Sequence, residues 1–547
     1  MFQQPANEAA ATMPTYHRTL GPNELSYFLP SRADGVNDMC NRLIIHAPPS
    51  LITPLRVRMA WGILRLRHSL MACRVEMQPG CYDEAQFALT PPSSPSQALT
   101  EAAACVRIFD DVTGPELMCA FMNGPRTLSA NHLSRLDVAL HGHVSQSTHE
   151  FQLIFMLHHM INDTLGVYAT EQHMCELLGG SATPGGPPRT DAELTKVLDH
   201  EWMQRWGALR VAHDPIVAAT EVRILGPLQS KFQEAAWKVD NQNIQKRSIG
   251  GHVFPRTKSP AFKMRLIQAR FDVSQTKAIF SKCKSNRVTV ANAVWGLFNF
   301  AWIRLCAAHP EIDAPKDLPV LMYTAISLRR YLTPPSPLES YMSLALDYSN
   351  VMLPAFLPAD VNPNKMFWAR SRDAQRQMFK HAHSPLLLRR AVVTGQIRAE
   401  RAKAWARIDD EAAGTLPRTA RAPPAALPAP GPKPPPSVAL LGVTHIGDPS
   451  ATIFRPEAYP PLKTVDMDGC ARKAPGGMLV VTRTSFGKFR MALMWDAVPF
   501  PPGLIEEFWR YVVDGVHEYV LEDASLKGTA EEMDTFANAP LSARSRL

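Results

Sequence analysis

The run Phe151–Gly166, FQLIFMLHHMINDTLG, decides how this chain is read. From Phe151 to Leu157 bulky and branched side chains fill nearly every position, the pattern of a strand buried on both faces. It stops at His158 and His159, and Asp163 follows four residues after the second. Beyond Asp163 the period changes: Val167, Thr170, Met174, Leu177 and Leu178 recur at helical spacing, with Gly179 and Gly180 as the stop. Asp163 therefore fits the cap of a helix. Successive strand residues point to opposite sides, so His158 and His159 face one cavity together only if the strand is already turning. One of them is expected to do chemistry and the other to pack. A histidine here can take a proton from a hydroxyl near neutral pH, and a nearby carboxylate can shape the turn that aims its ring. The plainer alternative is that both histidines are ordinary strand-end residues and Asp163 only a cap.

Working outward, 547 residues exceed what one hydrophobic core organises, and length suggests two to four domains. Hydrophobic residues make up 46% and charged residues 20%, a globular composition. The formal charge of +8 suits a polyanionic ligand such as a nucleotide-bearing cofactor. The basic residues are dispersed and lack interleaved aromatics, which argues against nucleic acid. The nine cysteines are scattered and never form a Cys-x-x-Cys pair, pointing to a reducing compartment rather than a disulfide framework or zinc knuckle. No metal site is expected. The first residues lack the basic start and apolar core of a secretory signal. The most apolar helix candidate, Ala293–Ala308, is interrupted by Asn299 and Arg304 and reads as too short for a membrane span.

In chain order, residues 1–15 read as disordered and HRTLGPNELSYFLP, from His17, as a short strand and turn. Arg42–His46 reads as a strand. Pro54 opens a helix to about Arg67, with Leu55, Met59, Ile63 and Leu66 on one face and arginines on the other. Leu70–Val75 resumes as a strand, and residues 77–130 are poorly patterned. Arg135–His141 and Glu150–Leu157 read as two strands, and a helix runs from Asp191 towards Trp206. The first half spans residues 16–225, a crossing segment 226–260, and the second half 261–547. There a helix capped at Ser274, a Thr289-capped apolar helix from Val290 and a buried strand Leu318–Ser327 running into Arg329 and Arg330 are expected. Glu411–Pro436 holds nine prolines and few large apolar residues, the composition of a flexible insertion. Strands Val438–Thr444, Met478–Arg483 and Phe489–Trp495 and an amphipathic helix Leu504–Leu521 complete the chain. The pattern is α/β throughout.

The order of these pieces, LRLRH, then His-His-x-x-x-Asp, a Thr-capped apolar helix, a strand ending Leu-Arg-Arg and a late Phe-Gly turn, resembles the CoA-dependent acyltransferases of the chloramphenicol acetyltransferase and condensation-domain superfamily. The resemblance spans roughly residues 16–521, with the histidine stretch its one specific motif. It implies two chloramphenicol-acetyltransferase-like halves, each a mixed sheet with helices, and an active-site channel between them. It further implies His159 as general base, Arg329 as the structural partner of Asp163, and no permanently bound cofactor, acyl-CoA being a co-substrate beside a hydroxylated acceptor. The turn at Phe486 and Gly487 matches the plant branch's Asp-Phe-Gly-Trp-Gly motif only at those two residues. Thr484 and Ser485, on that turn, are candidates for oxyanion or acyl-channel contacts. Thr164 replaces the glycine usual after the aspartate.

The last residues, Ser545, Arg546 and Leu547, are a conservative variant of the Ser-Lys-Leu peroxisomal address, read by an import receptor. With that address the chain is similar to fungal acyltransferases that decorate mannosylerythritol in glycolipid biosurfactants. A relative that acetylates a trichothecene-like alcohol, in the cytoplasm, shares every motif. A monomer is expected.

Overall fold

The apolar run Phe151–Leu157 becomes the centre of a sheet because neighbours on either side satisfy its backbone and both its faces are covered. The computed structural model describes residues 13–207, 214–225, 230–259, 261–332, 341–418, 436–521, 533–534 and 545–546. In the first half these form β1 (Tyr16–Thr19), α1 (Pro22–Ser31), β2 (Met39–Ala47), α2 (Pro54–Arg67), β3 (Arg74–Glu76), β4 (Gln86–Leu89), α3 (Pro95–Ala104), β5 (Val106–Asp110), α4 (Gly114–Asn123), β6 (Ser134–Ser145), β7 (Thr148–Leu157), α5 (Thr164–Gly179) and α6 (Asp191–Trp206). Next come α7 (Thr220–Leu225), α8 (Lys231–Arg247), β8 (Met264–Arg270), α9 (Val273–Ser285), α10 (Val290–Ala308), β9 (Val320–Ser327), β10 (Leu346–Leu353), α11 (Pro363–Ala382) and α12 (Leu387–Ala412). The chain closes with β11 (Leu441–His445), α13 (Pro449–Thr452), β12 (Lys463–Ala471), β13 (Met478–Ser485), β14 (Lys488–Asp496), α14 (Leu504–Gly515), β15 (Met533–Asp534) and β16 (Ser545–Arg546).

Two mixed sheets carry the architecture. The first has the order β12-β2-β7-β6-β5-β16 and the second β10-β9-β11-β13-β14-β8-β15; a small sheet β1-β4-β3 lies to one side. One core fills the first half around Trp61, Phe155 and Tyr168, and another fills the second around Trp295, Trp302, Phe367 and Trp509. The sheets meet through Cys40, Ile154, Met156 and Cys470 from the first and Met264, Leu266 and Met494 from the second. β12, late in the chain, pairs antiparallel with β2 and so completes the first sheet. Chain order and sheet membership therefore part company at residue 463.

Local signals explain the helices. Thr53, Thr190 and Thr289 cap α2, α6 and α10 by accepting a backbone N–H in the first turn. Several readings are corrected. The segment after β1 is not a turn but α1, for which Gly21 is the cap and Glu24 accepts the Gly21 N–H. Residues 77–130 contain β4, α3, β5 and α4. In α2 the expected apolar residue Leu55 is exposed, whereas Arg56 is buried, reaching Asp191 at 2.7 Å and the Leu178 carbonyl at 3.0 Å. α9 is capped by Asp272 rather than Ser274. Residues 69–71 form a helical turn before β3, not a strand. Glu411 and Ala412 belong to α12, so the proline-rich stretch begins later; most of it, and residues 1–12 of the expected disordered segment 1–15, lie outside the described residues. Helix α10, at 19 residues, is long and apolar enough by composition to cross a membrane, contrary to the shorter reading, and it packs as a core helix of the second half.

Candidate active site

β7 ends by turning. His158 leaves the strand, residues His159–Ile161 make one helical turn, and Asp163 starts α5 by accepting the Gly166 N–H at 3.2 Å. This break in alternation sends the two histidines to different surroundings. His158 is buried in the first half: its Nε2–H donates to Ser31 Oγ at 2.7 Å, and its Nδ1 accepts the Met160 N–H at 3.3 Å. The Ser31 hydroxyl in turn donates to the Phe28 carbonyl, which fixes the direction of the first bond. Burial holds His158 well below the ordinary histidine range, so it is a neutral packing residue and has no surface on the cavity.

His159 faces a cavity of about 300 Å³ between the two sheets. Its Nδ1 lies 2.9 Å from the Asn162 carbonyl, and a carbonyl only accepts, so Nδ1 carries the proton and Nε2 keeps a free lone pair. Tyr27 packs its ring 4.4 Å from the imidazole. Loss of water around the ring, chiefly, lowers its pKa to about 4; the Lys473 charge adds to the effect. At neutral pH His159 is an uncharged base.

Asp163 caps α5 and accepts from Arg329 Nε at 2.8 and 2.9 Å. The same guanidinium donates to the carbonyls of Tyr341 at 2.7 Å and Ser343 at 2.9 Å. Arg329 follows β9, so an arginine of the second half fixes the turn that aims a histidine of the first. Asp163 acts on the shape of the turn rather than on a proton.

The remaining wall is mostly aromatic and aliphatic: Tyr168 and Met39 from the first sheet's side, Tyr323, Tyr348 and Leu479 from the second's. Arg398, on α12, lies over the rings of both Tyr27 and Tyr348 from behind. Three basic side chains on this cavity are absent from the sequence reading. Lys473, just past β12, is lowered to about 8 by burial. His445 ends β11, is lowered to about 4 by burial, and meets Thr482 Oγ1 at 2.8 Å through Nδ1. Arg483 on β13 faces the cavity in front of Glu171, whose carboxyl is fully buried and pushed up to about 8. His445 had a sequence signal, because it stands at a strand's end as the His158–His159 pair follows one. Lys473 had none.

Thr484 and Ser485 do not line the cavity. Leu479, Val481 and Arg483 of β13 face it, so Thr484 points the other way, and Ser485 is buried at the strand's end. Phe486 and Gly487, at φ of 50° and 74°, form the tight β13–β14 turn and border a separate surface hollow with Ser450 and Lys463. Ser545 and Arg546 pair with Phe109 and Ile108 at the edge of the first sheet, and Leu547 lies outside the described residues. Among the described residues no group of His, Cys, Asp and Glu side chains is arranged to hold a metal ion.

No known protein family's profile matches this chain, and no curated protein matches it in sequence. Solved structures do match in shape. The trichothecene 15-O-acetyltransferase TRI3 of Fusarium sporotrichioides superposes with a TM-score of 0.68 at 11% identity, over 93% of this chain and 98% of that one. The condensation domain of the monacolin K polyketide synthase MokA gives 0.53 at 13% identity, over 94% and 99%. SgcC5 of Streptomyces globisporus gives 0.51 at 10%, over 92% and 99%. At such identities the likeness establishes the fold: the two-lobed α/β architecture shared by chloramphenicol-acetyltransferase-like and condensation-domain proteins. His159 and Asp163 lie in its central cavity, between the lobes.

Proposed function

We propose that this protein is an acyl-CoA-dependent O-acyltransferase in which His159 is the general base. The observation that carries the reading is the Nδ1–H bond from His159 to the Asn162 carbonyl, which leaves the Nε2 lone pair towards the cavity. Such a histidine can remove the proton of an acceptor hydroxyl as its oxygen adds to a thioester carbonyl, and can return it to the departing CoA thiolate. No covalent enzyme intermediate is needed. Acyl-CoA serves as co-substrate.

For the acceptor we favour a sugar-containing hydroxyl, mannosylerythritol, taking a short or medium acyl chain. Supporting it is the Ser545-Arg546-Leu547 tripeptide, which would bring the protein to peroxisomes, where β-oxidation shortens acyl-CoA. A second reading, acetyl transfer to a trichothecene-like alcohol, draws support from the TM-score of 0.68 to an acetyltransferase of that kind. Purified protein is supplied with acetyl-, hexanoyl- or decanoyl-CoA and with either acceptor, and CoA release is followed beside His159→Ala. Sugar-dependent turnover with the longer chains, lost in the variant, is the expected result. Turnover confined to acetyl-CoA and the terpenoid transfers the assignment to the second reading, and no acceptor-dependent release with any pair refutes both.

A further inference from the structure

The site so far has a base and a turn that aims it, but nothing that meets the negative charge an attacked carbonyl develops. Thr484 and Ser485 do not reach it. The neighbouring strands of the first sheet offer another group. On β12, Gly469 and Ala471 line the cavity and Lys473 continues the same face two residues on; on β2, Asn41, Met39 and Asn37 do the same. The strands are in register, with Gly469 opposite Asn41, Ala471 opposite Met39, and Met39 opposite Leu157 on β7. Backbone bonds from Asn37 N–H to the Arg472 carbonyl and from Arg472 N–H to the Asp38 carbonyl carry the ladder past the last pair.

Lys473, Asn37 and His159 thus each stand two residues beyond one row of three adjacent strands. Strands lie 4.7–4.9 Å apart, so on that row the backbones at Ala471 and Leu157, two residues before Lys473 and His159, are separated by about 10 Å. A lysine's flexible stem crosses part of that distance, leaving room between its ammonium and the imidazole for a reacting carbonyl. Among the described residues the Lys473 amine has no hydrogen bond and no ion pair. The acids nearby are engaged: Asp38 with Arg126 at 2.8 Å, and Asp163 with Arg329. Cys470 acts on its charge and His159 feels it; Asp163, His445, Arg483 and the tyrosines Tyr27, Tyr168, Tyr323 and Tyr348 are the other titratable groups on the cavity, and Arg472 beside it turns away to the carbonyls of Phe121 and Gly124. An unpaired cation in an aromatic wall is costly unless an anion arrives with the chemistry.

We propose that Lys473 is a further catalytic residue, its ammonium donating to the oxyanion that forms when the acceptor hydroxyl adds to the thioester carbonyl beside His159. This rests on the acyltransfer reading. As the new C–O bond forms, the hydroxyl proton passes to His159 Nε2 and the carbonyl π pair becomes the oxyanion facing Lys473. On collapse the carbonyl re-forms, the C–S bond breaks, and the thiolate takes the proton from His159. The lysine keeps its protons throughout.

The test compares wild type, Lys473→Met and Lys473→Arg in steady-state CoA release across pH, with melting curves to confirm folding. Losing one oxyanion donor predicts a fall in kcat of roughly 100-fold with KM within about threefold. Wild-type kcat should decline above about pH 8, where the lysine loses its proton. Lys473→Arg, permanently charged, should retain activity within about tenfold and lose that alkaline decline, and it remains informative if the methionine variant fails to fold. A kcat within about threefold of wild type in Lys473→Met, on the scale expected of an oxyanion donor, overturns the assignment and leaves acyl transfer standing. A defect confined to KM for one acceptor also overturns it, making the lysine a substrate anchor. Wild-type protein that releases no CoA with any acceptor overturns acyl transfer and this assignment together.

Discussion

Replacing Arg329 with Met tests whether the second half holds the catalytic turn of the first. In the wild-type protein the guanidinium bonds both oxygens of Asp163, whose side chain is 4% exposed, and the carbonyls of Tyr341 and Ser343. Removing it strands a buried carboxylate, a change that costs about 3–5 kcal/mol. Asp163→Asn is milder, about 1–3 kcal/mol. An amide oxygen can still cap Gly166, and Arg329, 18% exposed on its side chain, keeps both carbonyls. Combining them removes the stranded charge, so the double variant should be more stable than Arg329→Met alone, with a coupling of about 2–3 kcal/mol. Urea unfolding followed by tryptophan fluorescence measures the cycle. Because two lobes need not unfold together, hydrogen exchange localises the effect, with faster exchange expected at residues 341–345 and at the start of α5. Additivity of the single changes within about 0.5 kcal/mol, or an Arg329→Met cost below about 1 kcal/mol, would refute the reasoning.

Three further outcomes follow from the same geometry. With His159 lowered to about 4, the acid limb of kcat/KM should fall near pH 4 rather than near 6.5, measured as CoA release from pH 3.5 upwards; a limb near 6.5 contradicts a dry base. Glu171 is raised from 4.5 to about 8, so the folded state holds a proton that the unfolded state releases, and wild type loses stability as pH rises from 4.5 towards 8. Glu171→Gln should therefore gain stability relative to wild type across that window, as read from melting temperature against pH, because other groups cancel in the difference. Gly166→Ala should destabilise despite alanine's helix preference, since its Cβ would fall 1.9 Å from Asn162 Oδ1 and 2.8 Å from Arg329 Nη2; a raised melting temperature would count against the tight turn.

What was legible in the sequence was local. β7 and α5 could be read because strand burial, the Asp163 cap and the Gly179 stop all lie within thirty-two positions, α2 from Pro54 and the periodicity behind it, and α10 from its Thr289 cap, while the caps at Thr53 and Thr190 emerged only in the structure. α1 was hidden because Gly21-Pro22 also writes a turn, and only the Glu24 bond back to Gly21 decides for a helix. β12 was hidden because Asp466, Asp468 and Gly469 look wrong for a buried strand. Their charges are answered from afar: Asp468 by Arg42, 426 residues earlier, and Asp466 by Arg490. The Asp163–Arg329 pair spans 166 residues, and no local pattern reveals it; resemblance alone suggested it. Lys473 could not be found before β12 was known to lie beside β2.

The exchange of β12 also decides how the site divides between the two sheets. His159, Asn37 and Lys473 all hang from the first sheet, although the last lies in the chain's second half. Tyr323, Ser327, His445 and Arg483 hang from the second. A hinge motion between the lobes would widen or narrow the cavity and admit substrates, yet would leave the separation of His159 and Lys473 unchanged. Among the bonds such a motion would strain are Arg329 to Asp163, Arg490 to Asp466 and Arg270 to Asp468 at 3.7 Å. The first of these holds the turn that aims the base, so a motion that broke it would release His159 from its aim while Lys473 kept its place beside β2.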